Sequence, residues 1–401
     1  MSARNPNAGL TKITILLAST LTVMSGATIA PSLPSMQAYF SDIPNAEFLV
    51  RLALTLPALS IAIGSPIAGQ LVDRVGRKPL LLGSAILYGF AGGSGFALDS
   101  IYTILLGRAL LGLAVAGVMV SATTLIADYY QGAARANFMG LQAAFMGFGG
   151  VLFLSLGGWI ADLNWRFPFL IYLLSWLLIP GIAFALYEPL RPQAGVARTD
   201  TANPTLPTTR LPLKLLVFIY ACVMLQQIVF YLIPVQLPFY LEQLTGAGAT
   251  QTGMAIAFSI LFSAFASMSY GRFKKHLSFI QILAIAFGLI GLGYVGLGLV
   301  GNYWLILLIL IPTGMGLGLM MPNLNVWTTN EVPNALRGRA LGGLTTFMFL
   351  GQFLSPIVSQ PIKQNLGMSA TYSLVGVFLV VLAALIWIYR QQVCHAIDST
   401  V

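Results

Sequence analysis

Uncharged apolar stretches of membrane length, separated by short charged loops, recur along almost the whole chain. Free of Asp, Glu, Lys and Arg are Ile13 to Ser41, Leu52 to Val72, Pro79 to Leu98, Ala136 to Ala161, Phe167 to Tyr187, Leu215 to Leu241, Gln243 to Gly271, Leu277 to Asn330, Ala340 to Ile362 and Gln364 to Tyr389. Each meets or exceeds the ~20 residues a helix needs to cross the hydrocarbon. The stretch from Leu277 to Asn330 is long enough for two helices, with Gly301-Asn302-Tyr303-Trp304 as the turn and interfacial anchor between them. Ser100 to Ala127 adds a span interrupted only by Arg108. The pattern predicts an all-α membrane protein with twelve transmembrane helices, because a backbone in lipid must satisfy its own hydrogen bonds.

Composition agrees with the pattern. Of 401 residues, 57% are hydrophobic and 8% charged, against roughly 25% charged in an average soluble domain. A net charge of +9 raises the question of nucleic acid, but the placement of the charges answers it. With a cytoplasmic N-terminus, one face gathers Arg4, Lys12, Arg74, Arg77, Lys78, Arg135, Arg191, Arg198, Arg210, Lys214, Arg272, Lys274, Lys275, Arg337, Arg339 and Arg390, and the other only Arg166 and Lys363. Arg51 and Arg108 lie within helices or at their edges. This positive-inside bias predicts a multi-pass protein of the cell (inner) membrane with both termini cytoplasmic, and no nucleic-acid partner. The first run is too long for a signal peptide and is read as the first helix. Cys222 and Cys394 are not expected to meet, and His276 and His395 fall in cytoplasmic segments, so no disulfide, metal or cofactor is expected. A monomer surrounded by lipid is expected.

The one long polar connection, Glu188 to Pro212, contains five prolines and reads as a flexible linker. It divides the chain into an N-terminal six-helix bundle, residues 1–187, and a C-terminal bundle with a short tail, residues 213–401. The halves echo each other about 202 positions apart: Arg135, Gly140, Phe145, Met146 and Gly149 align with Arg337, Gly342, Phe347, Met348 and Gly351, and Gly112 and Met119 with Gly314 and Met321. Two such halves predict a site at their interface near the bilayer midplane, reached alternately from each side. Prolines within helices, among them Pro31, Pro57, Pro66, Pro234, Pro312, Pro322 and Pro356, remove backbone donors and bend the spans.

The loop from Gly69 to Lys78, GQLVDRVGRK, matches GxLxDRxGRK. It resembles the signature between helices two and three of the major facilitator superfamily, and Ala30-Pro31-Ser32-Leu33-Pro34 fits the superfamily's drug:proton antiporter branch. The resemblance implies twelve helices in two pseudo-symmetric halves. It also implies a conformational latch, Gly69, Asp73, Arg74, Gly76, Arg77 and Lys78, in which Asp73 meets the start of helix eleven and favours the cytoplasm-closed state. Physically, Gly76 permits the tight reversal and Arg77 and Lys78 stay at the anionic leaflet. The second half keeps only the glycine and basic charge of this loop, as Tyr270-Gly271-Arg272-Phe273-Lys274-Lys275. In the fifth helix, Gly157 and Gly158 stand where antiporter relatives end GPxxGG, whose first Gly and Pro are missing here.

Arg108 is costly at its depth unless it faces a polar cavity, a partner or, by snorkelling, the outer interface. With Gly107, Gly112 and Gly117 it resembles the superfamily's fourth-helix signature, although Leu111 and Ala114 depart from it, and the resemblance implies a role in proton coupling. No carboxylate falls in the middle of a helix. Glu47 and Arg51 are four apart and can pair. Asp128 is the inner carboxylate placed to take part in coupling or, alternatively, to brace Arg135. Arg108 and Arg51 are also the charges that suit an anionic group on a cargo.

Gln142, Tyr220, Gln226, Gln227, Tyr231, Asn323 and Asn325 lie well inside helices, where polar groups need either partners or a water-lined cavity. Together these features predict a secondary active transporter that moves a small organic, amphipathic molecule by alternating access, with proton-coupled efflux as the first reading. The alternative is a carrier for an anionic metabolite or chelator without a protein-borne proton site. A membrane-embedded enzyme would need an intramembrane His, Cys or carboxylate cluster, and none is present.

Overall fold

The computed structural model describes residues 8–189, 212–333 and 336–392. Arg4, Arg191, Arg198, Arg210, Cys394, His395 and most of the linker lie outside the described residues. Among those described, twelve apolar helices are long enough to span a membrane. They are α1 (Gly9–Tyr39), α2 (Ala46–Val75), α3 (Arg77–Phe96), α4 (Ile101–Tyr129), α5 (Gly132–Leu163), α6 (Pro168–Ala185), α7 (Leu213–Thr245), α8 (Ala249–Lys274), α9 (Phe279–Leu299), α10 (Tyr303–Glu331), α11 (Arg337–Leu366) and α12 (Met368–Ile388). The turn before α10 is fixed by Asn302, whose Oδ1 accepts from the Trp304 N–H at 2.9 Å.

Two spans are irregular, each for a local reason. In α1 a 3-10 turn, Ala30–Ser32, separates Gly9–Ala27 from Leu33–Tyr39, where Pro31 and Pro34 supply no donor. Hydroxyls of Thr28 and Ser32 donate to the carbonyls of Met24 and Ile29, so neither hydroxyl is left unpartnered in the buried break. Span α6 is three short pieces, Pro168–Ile171, Leu174–Leu177 and Ile179–Ala185, joined by i to i+3 hydrogen bonds such as Ser175 to Tyr172.

The twelve helices form two six-helix halves built alike. In the first, α1 packs on α5, α2 on α4 and α3 on α6; in the second, α7 packs on α11, α8 on α10 and α9 on α12. Buried tyrosines repeat the likeness. Tyr88 of α3 donates to the Leu21 carbonyl and lies 5.8 Å from the Tyr172 ring of α6. Tyr294 of α9 donates to the Val229 carbonyl and lies 5.5 Å from the Tyr372 ring of α12. Each phenol gives the lipid-embedded core a large apolar face and one satisfied O–H.

Candidate functional site

A cavity of about 270 Å³ lies between the halves, lined by α1, α2, α4 and α5 from one side and α7, α8 and α11 from the other. Its walls are mostly apolar, with Met119, Met146, Met348, Phe230 and Phe349 prominent, and its polar atoms come chiefly from Thr22, Ser25, Tyr231 and Gln352. Met146 and Met348 are the repeat partners read from the sequence, so both halves bring the same side chain to the same space. No charged side chain is among its lining residues. Such a surface holds its ligand by adaptable apolar contact with few directional bonds.

Directly behind the wall is Arg108, 1% exposed. Its Nε donates to the Ala53 carbonyl at 2.8 Å, Nη1 to the Tyr172 hydroxyl at 2.9 Å and Nη2 to the Ser25 carbonyl at 2.5 Å. The rigid fork of donors thus ties α4 to α1, α2 and α6. Burial rather than snorkelling is the outcome, because carbonyls and a phenol replace the hydration a guanidinium would otherwise seek at the interface.

At the end of the bundle away from the basic loops, the halves are joined. The Glu47 carboxylate of α2 lies between Arg51, 3.4 Å away on its own helix, and Lys363 of α11, with which it forms an ion pair. Arg51 is fully buried: Nη1 donates to Gln37 Oε1 and the Glu47 carbonyl, and Nε to Gln236 Oε1 of α7 at 2.9 Å. Gln236 continues to Ser359 of α11, and the guanidinium lies 3.9 Å from the centre of the Phe239 ring. Nearby, both Asp162 carboxylate oxygens at the end of α5 accept backbone N–H groups of Ala249 and Thr250, at 2.7 and 3.0 Å, and the Thr250 hydroxyl. A carboxylate on the N-terminus of α8 is favoured by the helix dipole and its free donors. Beneath it, α5 and α8 cross so closely that a Cβ on Gly158 would lie 2.5 Å from the Ala249 carbonyl oxygen, and one on Gly253 2.5 Å from that of Leu154.

The basic end is different. Asp73 is exposed and makes no hydrogen bond or ion pair with the described residues, and Gly140 of α5 and Gly342 of α11 face open space. The rest of the loop is anchored within its own half. Glu188 places Oε1 and Oε2 on the backbone N–H groups of Arg77 and Lys78, both at 2.8 Å, at the start of α3. Gly76, with φ of 110°, leaves that carboxylate room: a Cβ there would sit 2.7 Å from Glu188 Oε1. The Arg77 side chain pairs with Asp128 at 2.9 Å, and Lys78 Nζ donates to the Ala183 carbonyl. Burial in the same corner pushes the phenols of Tyr130 and Tyr187 above their ordinary range.

The family model of the Major Facilitator Superfamily matches residues 15–356 and, in an overlapping alignment, 219–395. The chain belongs to the Major Facilitator Superfamily. Among curated members it is 24% identical to a tetracycline resistance protein, class E, of Escherichia coli, over 84% of each chain. It is 25% identical to the quinolone resistance protein NorA of Staphylococcus aureus (strain COL), over 87% of this chain and 91% of that one. The same fold is found in a D-xylose-proton symporter, with a TM-score of 0.79 at 19% identity over 94% of this chain and 97% of that one. It recurs in a bacterial homologue of the lysosomal transporter Spinster in an inward-facing, occupied conformation, with a TM-score of 0.78 at 15% identity over 97% and 98% of the chains. The protein is therefore a multi-pass membrane transporter of this superfamily with a small-molecule substrate, and not an enzyme.

Of the seven polar residues singled out in this superfamily member's sequence, Tyr231 is the one on the cavity wall. Gln227 stands one step behind, its Oε1 3.4 Å from Nε2 of the cavity residue Gln352. Gln226 is buried beside it with Oε1 unpartnered. The other four make bonds within one half: Gln142 to Ser19, Tyr220 to the Ala340 carbonyl, and Asn325 to the Met321 carbonyl of its own helix. Asn323 ties α10 to α8 and α9 through Tyr270 and the Phe279 carbonyl. Asp128 braces Arg77 rather than Arg135, because the start of α3 lies against the end of α4. Sequence reading missed Asp162, Lys363, Gln236 and Tyr172. Asp162 left a signal, an acid at a predicted helix end four residues past Gly158, and Lys363 stood out only as one of two basic residues on the outer face, with nothing to name its partner.

Proposed function

We propose that this transporter exports a small amphipathic organic molecule from the cytoplasm, across the cell membrane, in exchange for protons. The observation that carries the reading is the cavity itself: an uncharged, methionine- and aromatic-rich space at the interface of two like halves, which are joined at one end, while at the other Asp73 is exposed and Gly140 and Gly342 face open space. The kinship to tetracycline and quinolone resistance proteins supports efflux of a compound of that general kind.

In this reading the basic end faces the cytoplasm, with both termini on that side, and the structure corresponds to the inward-facing member of an alternating cycle. Asp73 engages the start of α11 only when that end closes, and the remaining latch residues, Gly69, Arg74, Gly76, Arg77 and Lys78, hold the loop in place. Arg108 relays the state of α4 to α1 and α2, while Asp128, partly exposed beside Arg77, is the carboxylate reached by protons from the cytoplasmic side. Arg51 belongs to the opposite seal and acts on access rather than on cargo. Residues 188–212 act as a tether between bundles that move as units.

The test is reconstitution of the purified protein in proteoliposomes with a pH-reporting dye inside, followed by a screen of organic acids, neutral compounds and amphipathic cations. Substrate-dependent proton movement supports the reading. Flux that is indifferent to an uncoupler contradicts the coupling and favours the uncoupled anion carrier.

A further inference from the structure

Arg108 is a buried cation whose hydrogen bonds go to two carbonyls and a phenol, with no carboxylate against it. One of those carbonyls belongs to Ser25, which lines the cavity. The acidic residues described stand at helix ends or in connections, and none lines that space. The fixed charge beside the cavity is therefore of one sign, and among apolar walls its field is weakly screened. From the facing α7, the Tyr231 hydroxyl has no hydrogen-bond partner among the described residues and stands 3.4 Å from where a Cβ on Gly26 would sit. It presents a free O–H donor next to the segment that Arg108 holds.

We propose that the cavity takes an aromatic amphipath whose polar end is neutral or anionic, and that it rejects permanent cations. The polar end lies toward Ser25 and Tyr231, and the apolar body against Met146 and Met348, whose thioethers adapt to an aromatic ring. An acceptor or anion gains the Tyr231 donor and the field of Arg108. A cation loses its hydration with no carboxylate in compensation and meets a charge of its own sign. This inference rests on the cavity being the cargo site and adds the charge class of the cargo.

Three probes of matched size test it: naphthalene-1-sulfonate, 1-naphthol and N-methylquinolinium, measured by equilibrium binding to the full chain in lipid nanodiscs with empty discs subtracted. The sulfonate binds at least tenfold more tightly than N-methylquinolinium, with 1-naphthol between. Tyr231→Phe weakens the sulfonate and the naphthol several-fold and leaves N-methylquinolinium unchanged, and Met146→Ala weakens the sulfonate and the naphthol alike. Equal or tighter binding of N-methylquinolinium overturns the inference. So does an undiminished preference in Tyr231→Phe, or failure of both the sulfonate and the naphthol to bind. Because no gradient is present, the result is independent of coupling. Proton-free flux of the sulfonate in proteoliposomes removes the coupling but leaves the charge class, whereas proton-coupled flux of the cation alone removes the charge class but leaves the coupling.

Discussion

Gly112 of α4 and Gly314 of α10 meet the same obstacle in the two halves. A Cβ on Gly112 would lie 2.4 Å from the Pro57 carbonyl oxygen of α2, and one on Gly314 2.3 Å from that of Ser259 on α8. Pro57 and Ser259, like the two glycines, are 202 positions apart. In lipid, where apolar burial gives little drive, close backbone approach supplies much of the attraction between helices. Gly112→Ala and Gly314→Ala each destabilise the folded protein by about 1–3 kcal/mol through overpacking. Thermal unfolding in detergent checks this, with Gly140→Ala, which meets open space, as the unchanged control.

Asp162→Asn keeps the shape of the α8 cap but removes its charge. The bond between α5 and α8 weakens by about 0.3–1 kcal/mol, the range for an exposed carboxylate at a helix N-terminus. The end opposite the basic loops then opens more often, and a cysteine placed beside Asp162 is modified faster by a membrane-impermeant maleimide. An unchanged rate contradicts the role given to this contact.

Asp73→Asn changes nothing in the state described, since the side chain is exposed and unbonded there. Its thermal midpoint stays at the wild-type value and membrane insertion is intact, yet transport is lost because the basic end no longer holds shut. Wild-type flux from correctly inserted Asp73→Asn removes the latch.

Arg108→Ala orphans the Ala53 carbonyl, to which Pro57 four residues on supplies no N–H, leaves the Ser25 carbonyl with the Tyr172 hydroxyl alone, and costs about 3 kcal/mol of stability together with coupled transport. Arg108→Lys rescues little, because one ammonium cannot reach carbonyls on two helices and the Tyr172 hydroxyl as the planar fork does. Retention of full coupled transport by either variant contradicts the assignment.

Much of the fold was legible because lipid makes one demand that sequence displays directly: long uncharged runs. The spans, the turn at Asn302 and the glycine-marked repeat all followed from it. What remained hidden was which side of a span meets protein, since both faces are apolar and no periodicity separates them. Asn323 and Tyr231 are alike as polar residues in apolar helices, yet the first is a brace within one half and the second lines the cavity. Lys363 and Glu47 are 316 positions apart, and only the crossing of α2 with α11 brings them together. The broken course of α6 was also invisible, because its i to i+3 turns need no unusual residue apart from Pro180.

The central claim is that two six-helix halves rock about the shared cavity, so that one end opens as the other closes. The most direct measurement uses spin-label distances in a cysteine-free background, with Ala97→Cys and Gly301→Cys reporting the sealed end and Ala133→Cys and His276→Cys the basic end. On addition of a transported compound under a proton gradient, the first distance lengthens while the second shortens. Two distances that move in the same direction, or that do not move during demonstrated transport, contradict the account.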